Sequence, residues 1–223
     1  MSGCSGSSCS SCSSCSSGDG RDDAELPPGM LSRYDLDQST SDGALVWLEV
    51  LRCPEGPRIA DSSMQVLDAV CRMNGGRTFA VIFGGPDLKP LYPSIFGCGV
   101  GSLYHVRDKG SECYDSNIYS VTICDIIDRV RPAAVVLAAS DRGNQLGEKI
   151  SSMLNVELCP DCTSISMEGR IMSTVPAPMG QFLLSNRKKF PCVATVRPGA
   201  YPDPEPTEAQ GTAIYWQTWN GRV

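Results

Sequence analysis

Apolar runs alternate with stretches of helical period between residues 43 and 199, which predicts a chain of strands joined by helices. Residues 44–51 (ALVWLEVL) read as a buried strand and 62–74 as the helix after it, because Val66, Leu67, Val70 and Cys71 share one face. Ser62 and Gln65 have the spacing of a capping box, and Gly75 suits a left-handed stop. Residues 79–83 (FAVIF) form the next strand, ended by Gly84 and Gly85, and the glycine-rich IFGCGVGS leads into a short strand at 103–106 (LYHV). Ile118, Val121, Cys124 and Ile127 recur every three residues, predicting a helix over 117–130 that Arg131 and Pro132 close.

Residues 133–139 (AAVVLAA) are apolar on both faces, as strands of a covered parallel sheet are. Leu146, Ile150, Met153 and Leu154 then give a third helix its buried stripe. From 157 to 196 the pattern shortens into strands broken by Pro and Gly, expected as an antiparallel extension. The fold class expected is α/β: a three-layer Rossmann-like domain with a mostly parallel sheet and an antiparallel edge.

Outside this region the periodicity fails, which divides the chain into a tail (1–42), an α/β domain (43–200) and a C-terminal segment (201–223). The first 42 residues pass from Ser, Gly and Cys into the acidic DGRDDAELPPG, with too little apolar surface to offset chain entropy. A mobile tail is expected unless a metal orders it. Pro202, Pro204 and Pro206 mark extended linker chemistry, after which Tyr215, Trp216 and Trp219 restore aromatic character. Those three side chains either fold back on the domain or anchor in a partner's groove.

Composition narrows the function classes. With 223 residues and 41% hydrophobic content the chain can bury one sizeable core. A net charge of −6 argues against a broad nucleic-acid or anionic-membrane footprint. No apolar run is long enough to span a bilayer, and MSGCSGSSCSSCSS lacks the sections of a signal peptide. A cytoplasmic location is expected, where most of the twelve cysteines would be thiols or metal ligands.

Four of them, Cys4, Cys9, Cys12 and Cys15, are spaced C-x4-C-x2-C-x2-C. Sulfurs two residues apart on a short loop can converge on an iron–sulfur cluster or zinc, while a Ser/Cys low-complexity tail without a ligand explains the same spacing. Cys159 and Cys162 form a second C-x2-C, read as local packing or turn geometry because no helix N-terminus adjoins them to lower a thiol pKa. The turn of Ser140, Asp141, Arg142, Gly143 and Asn144 lies between a buried strand and a helix start, where open α/β sheets bind anions or nucleotides. Helix capping by Ser140 or Asp141 is the competing reading. The single histidine, His105, has no nucleophile beside it in sequence and is assigned no catalytic role.

In order along the chain, LVWLEV, LYHVRD with Tyr114 and Asp115 after it, RPAAVVLAAS followed by RGNQLGEKI, CPDCTSI, GRIMSTVPAPMGQ and VATVRPG resemble the N-terminal domain of the electron transfer flavoprotein alpha subunit. The resemblance covers 44–201. It implies a non-catalytic electron-transfer component that forms a heterodimer with a beta-type subunit, with a dehydrogenase or a separate flavin domain as further partners. The family's second domain, which carries most FAD contacts, would follow Tyr201, so FAD is expected here only with a partner chain or domain. The family's RPAFGGN-like stretch reads VPAPMGQ, with Val175 in place of arginine and Gly180 and Gln181 in place of Gly-Asn. By resemblance Arg197 marks the junction towards the flavin domain, and it joins the turn at 140–144 as a candidate cofactor contact. An iron–sulfur or zinc protein built on the N-terminal cysteines is the alternative.

Overall fold

A computed structural model of the chain describes residues 42–74, 77–107, 113–168, 171–176, 191–205, 207–208 and 210–217. Its strands are β1 (Ala44–Trp47), β2 (Val50–Cys53), β3 (Gly56–Ile59), β4 (Thr78–Phe83), β5 (Ser102–Val106), β6 (Ala134–Ala138), β7 (Leu158–Glu168), β8 (Ile171–Pro176), β9 (Cys192–Val196) and β10 (Thr212–Trp216). The helices are α1 (Asp61–Asn74), α2 (Tyr92–Gly97), α3 (Ser116–Val130) and α4 (Asp141–Met153). Eight strands form one sheet in the order β10-β5-β4-β1-β6-β9-β7-β8, and β2 and β3 pair as a separate hairpin. All pairings in the large sheet are parallel except that of β7 with β8. The expected α/β architecture with a mostly parallel sheet is therefore present.

Side-chain alternation assigns each strand residue to one of two buried layers. Val46, Ile82, Leu103, Val136 and Ala194 face α1 and α2, which contribute Leu67, Val70, Ile95 and Phe96. Leu45, Trp47, Val81, Val135 and Val193 face α3 and α4, which contribute Ile123, Ile127, Leu146 and Ile150. The ends of α3 are set locally. Asp115 accepts from the Asn117 and Ile118 amides, and Arg131 stops the helix in the left-handed region at φ 53°.

Several expected elements differ. The strand expected over 44–51 leaves the sheet after Trp47. The Leu48 amide still bonds the Val81 carbonyl at 2.9 Å, but Glu49 donates to Ser63 Oγ and accepts from the Ala60 amide, which turns the chain into the β2–β3 hairpin. No capping box forms at Ser62 and Gln65, because α1 begins one residue earlier and the Ala60 carbonyl accepts from Ser63 and Met64. The glycine-rich stretch before β5 carries α2, preceded by a 3₁₀ turn at Pro86–Leu91. In the region expected as short antiparallel strands, β7 is eleven residues long and β9 lies parallel between β6 and β7, so only β8 is antiparallel.

The proline-rich segment is a strap over the layer of α1 and α2. Gln65 accepts from the Gly199 amide and donates to Asp203 at 2.8 Å, while the Tyr201 hydroxyl bonds both backbone groups of Ile165. Thr207 donates to the Gly97 carbonyl. The strap delivers β10 to the far edge of the sheet beside β5, where Trp216 packs edge-on to Tyr104 at 5.8 Å. Tyr215 and Trp216 thus fold back on the domain, and Trp219 lies outside the described residues.

Candidate functional site

The chain runs from β1 outward through β4 to β5, then returns through α3 to β6 on the other side of β1. The loops leaving β1 and β6 at their carboxyl ends therefore diverge, opening the crevice in which α/β sheets of this connectivity bind ligands. A cavity of about 340 Å³ lies there. Its walls are aromatic (Trp47, Phe83, Tyr114, Tyr119), and Glu49 and Arg142 bring charge to it.

Local structure places each of these groups. Ser140 is the N-cap of α4 and its Oγ accepts from the Gly143 amide at 3.1 Å. The same hydroxyl donates to Glu49 Oε2 at 2.6 Å, and Arg142 Nη1 lies 3.5 Å from Glu49 Oε1. A carboxylate from this chain thus stands at the helix N-terminus, where an anion is favoured by the helix dipole. Gly143 allows the close crossing of α4 on β6: a Cβ there would sit 1.9 Å from the Ala138 carbonyl oxygen.

Tyr114 bridges to α4 through its hydroxyl, which donates to Gln145 Oε1 at 2.8 Å, and the Arg142 guanidinium lies 5.0 Å from its ring centre. Phe83 stacks on Tyr119 at 3.8 Å. Burial pushes the Tyr119 phenol up to about 12, with the Arg142 charge opposing. Trp47 is 3% exposed, and its Nε1 is buried without an acceptor among the described residues.

Among the residues expected from sequence, Ser140, Asp141, Arg142, Gly143 and Asn144 are brought together at the start of α4, but the cap is tied to Glu49. Glu49 lies in the LVWLEV motif but is not singled out there as a site residue. Its sequence signal is a lone carboxylate within an otherwise apolar strand run. Arg197 follows β9 on the same carboxyl edge, but its guanidinium turns to Asp161, with Nε and Nη2 on the two carboxylate oxygens at 3.1 and 2.5 Å. That contact holds the Asp161 carboxyl below its usual range.

The CPDC segment is a bulge in the β7–β9 pairing with Asp161 at φ 48°, and Cys159 and Cys162 are buried in the layer facing α1. Turn geometry and packing account for its spacing. His105 is fully buried; its Nε2 donates to the Gly84 carbonyl at 3.0 Å and its Nδ1 accepts from the Tyr92 hydroxyl at 2.6 Å. Burial lowers the imidazole pKa, and both ring nitrogens are engaged in structure.

Cys4, Cys9, Cys12 and Cys15 lie outside the described residues, as do Gly180 and Gln181. Among the described residues no group of three or more His, Cys, Asp or Glu side chains is placed to hold a metal, and no helix is long and apolar enough to cross a membrane.

The sequence profile of the electron transfer flavoprotein domain matches residues 55–217. The chain is 29% identical over 138 residues to the electron transfer flavoprotein subunit alpha of Megasphaera elsdenii, covering 58% of this chain and 40% of the relative. It is 33% identical over 131 residues to the alpha subunit of Clostridium acetobutylicum, covering 56% and 39%, and 32% identical over 108 residues to Protein FixB of Clostridium saccharobutylicum, covering 46% and 32%. The chain thus spans less than half the length of these curated relatives. The match takes in the β6–α4 side of the crevice and the strap, and the chain belongs to the electron transfer flavoprotein family as a domain of the alpha-subunit N-terminal type.

Proposed function

We infer that the protein is an alpha-like electron-transfer subunit that docks a beta-type partner and supports flavin-mediated electron transfer without catalysing a reaction of its own. The observation that supports this most strongly is the family match over 55–217, which takes in the elements from β3 to β10. FAD, in this reading, is held in company with a partner chain or a separate flavin domain. The turn of Ser140, Asp141, Arg142, Gly143 and Asn144, together with Arg197, is the part of this chain turned towards that cofactor, since all lie on the carboxyl edge of the sheet. A dehydrogenase supplies or accepts the electrons, and the cytoplasm is the compartment.

The spacing of Cys4, Cys9, Cys12 and Cys15 favours a second reading, an iron–sulfur cluster or zinc held by the N-terminal thiolates. The two readings are compatible, and one preparation tests both. The chain is co-expressed with the beta-type subunit of the same organism and purified without oxygen. A stoichiometric complex with flavin absorbance is expected. A chain that elutes alone, with no flavin recovered from either component, overturns the first reading, and absence of iron and zinc from the purified chain removes the second.

A further inference from the structure

We propose that the open edge of β10 is a dimerisation surface, on which a second copy of this chain adds its own β10 antiparallel about a two-fold axis through Ile214, joining the two eight-stranded sheets into one. The proposal does not depend on docking of a beta-type partner.

The phase of β10 fixes where its backbone groups point. It runs parallel to β5, from Thr212 beside Ser102 to Trp216 beside Val106, with no shift in register. At one end the Thr212 amide donates to the Gly101 carbonyl at 3.2 Å, and at the other the Trp216 carbonyl accepts from the Arg107 amide at 2.9 Å. In a parallel ladder the N–H and C=O of one residue point to the same neighbour, and those of the next residue point the opposite way. Thr212, Ile214 and Trp216 are therefore turned to β5. Ala213 and Tyr215 present their amides and carbonyls to the other side, where the sheet has no further strand among the described residues.

Such an edge is a template for another strand, and proteins commonly guard it with charge, proline or a bulge. None of these guards β10: residues 211–217 read GTAIYWQ, and its register with β5 is unbroken. Tyr215 is the large hydrophobic side chain left exposed among the described residues, at 54%.

A copy of the same strand fits this edge. With the axis through Ile214, Ala213 of each copy stands opposite Tyr215 of the other and exchanges both backbone bonds with it, so every outward-facing group of the two residues is paired. A small side chain then meets a bulky one. On the opposite face Ile214 meets its own copy and Thr212 meets Trp216, pairings of β-branched and aromatic side chains that stabilise sheets. The flank beside Trp216 carries Asp125, Asp128, Arg129 and Arg131, carboxylates and guanidiniums together, so a copy is not met by one sign of charge. An uncharged edge with a mixed flank favours a copy over a strongly charged strand from another protein.

The test is sedimentation velocity of the full chain from low to high micromolar concentration, where a concentration-dependent dimer is expected. Tyr215→Lys sets a charge on the edge and should weaken the dimer at least tenfold while leaving the circular dichroism of the domain unchanged; Tyr215→Phe should keep the dimer. Ile214→Cys brings two introduced thiols together across a pair whose Cα atoms are about 4.5 Å apart, within disulfide reach, so diamide should cross-link the copies at that position, read by peptide mass mapping. A monomer at every concentration overturns the proposal. So does a dimer that Tyr215→Lys leaves intact or that fails to cross-link at 214. Protection of the Ala213 and Tyr215 amides from hydrogen exchange only when a beta-type subunit is added would give the edge to that subunit and overturn it as well.

Discussion

The Ser140 hydroxyl donates to the buried carboxylate of Glu49 at 2.6 Å, tying the loop that leaves β6 to the loop that leaves β1. The two residues are 91 positions apart in sequence, and the bond joins the two sides of the crevice at the centre of the sheet. Because Ser140 also caps α4, one hydroxyl serves two elements.

Ser140→Ala should therefore cost more than an ordinary cap. Losing the acceptor for the Gly143 amide and the donor to a 7%-exposed Glu49 together is expected to lower the unfolding free energy by about 2 kcal/mol. Ser140→Thr should retain most of it. Urea denaturation followed by circular dichroism separates the two; equal midpoints for Ala and Thr would contradict the double role.

Gly143→Ala should be among the more damaging single-methyl additions to α4. The new Cβ would meet the Ala138 carbonyl at 1.9 Å, backbone against backbone, whereas Gly147→Ala would meet the Thr195 methyl at 3.0 Å, a side chain that can shift. A loss of about 2–3 kcal/mol is expected at 143 and a smaller loss at 147. Thermal melts of the two variants give the order directly.

The folded state should weaken as pH falls from neutral. Burial lowers the His105 pKa from its ordinary value of 6.5, so the unfolded chain takes up a proton before the folded one does. The stability that neutral His105 contributes is fully present above 6.5 and is lost as pH falls through that value towards the lower folded pKa. Since His105 is the only histidine in the chain, its imidazole C2 proton is a single readable signal, expected to titrate with a midpoint below 6.5 in the folded protein. His105→Gln should flatten the slope of melting temperature between pH 7 and 5.

At the CPDC bulge, backbone geometry should matter more than charge. Asp161 and Arg197 are 41% and 47% exposed, so Arg197→Ala is expected to change stability by less than about 1 kcal/mol. Asp161→Val places a branched side chain at φ 48° and should cost about 1–2 kcal/mol more than Asp161→Asn, which tolerates that conformation. Chemical denaturation of the three variants checks the ranking.

Deleting residues 211–223 should destabilise the domain, since it uncovers the β5 edge and removes the half-buried Ile214 and Trp216 from the layer facing α3 and α4. About 3 kcal/mol is expected from the apolar area returned to water. An unchanged denaturation midpoint would show that β10 is dispensable.

Much of the fold was legible in sequence. The expected helix over 117–130 is α3, Ser116–Val130, since Asp115 and Arg131 punctuate it on the chain itself. The apolar run at 133–139 appears as β6, because a strand covered on both faces needs apolar residues at every position. Ser62 and Gln65 had a capping-box spacing and did not form one. Gln65 is drawn instead to Gly199 and Asp203, more than 130 residues away, and a local motif does not register such a competitor. The strap failed to show for the same reason: three prolines announce extended chain without saying what it lies against.

By itself the sequence determined the period of each element, the faces it buries and membership of the electron transfer flavoprotein family, because periodicity and ordered motifs are properties of neighbours along the chain. The tertiary structure decided which elements became neighbours. The return of the chain from β5 to β6 on the other side of β1 brought Glu49 to Ser140 and Arg142 and surrounded Trp47 with aromatic rings. Strand order is set by crossovers that bring distant segments into register, so the crevice and its carboxylate exist only once the sheet has assembled.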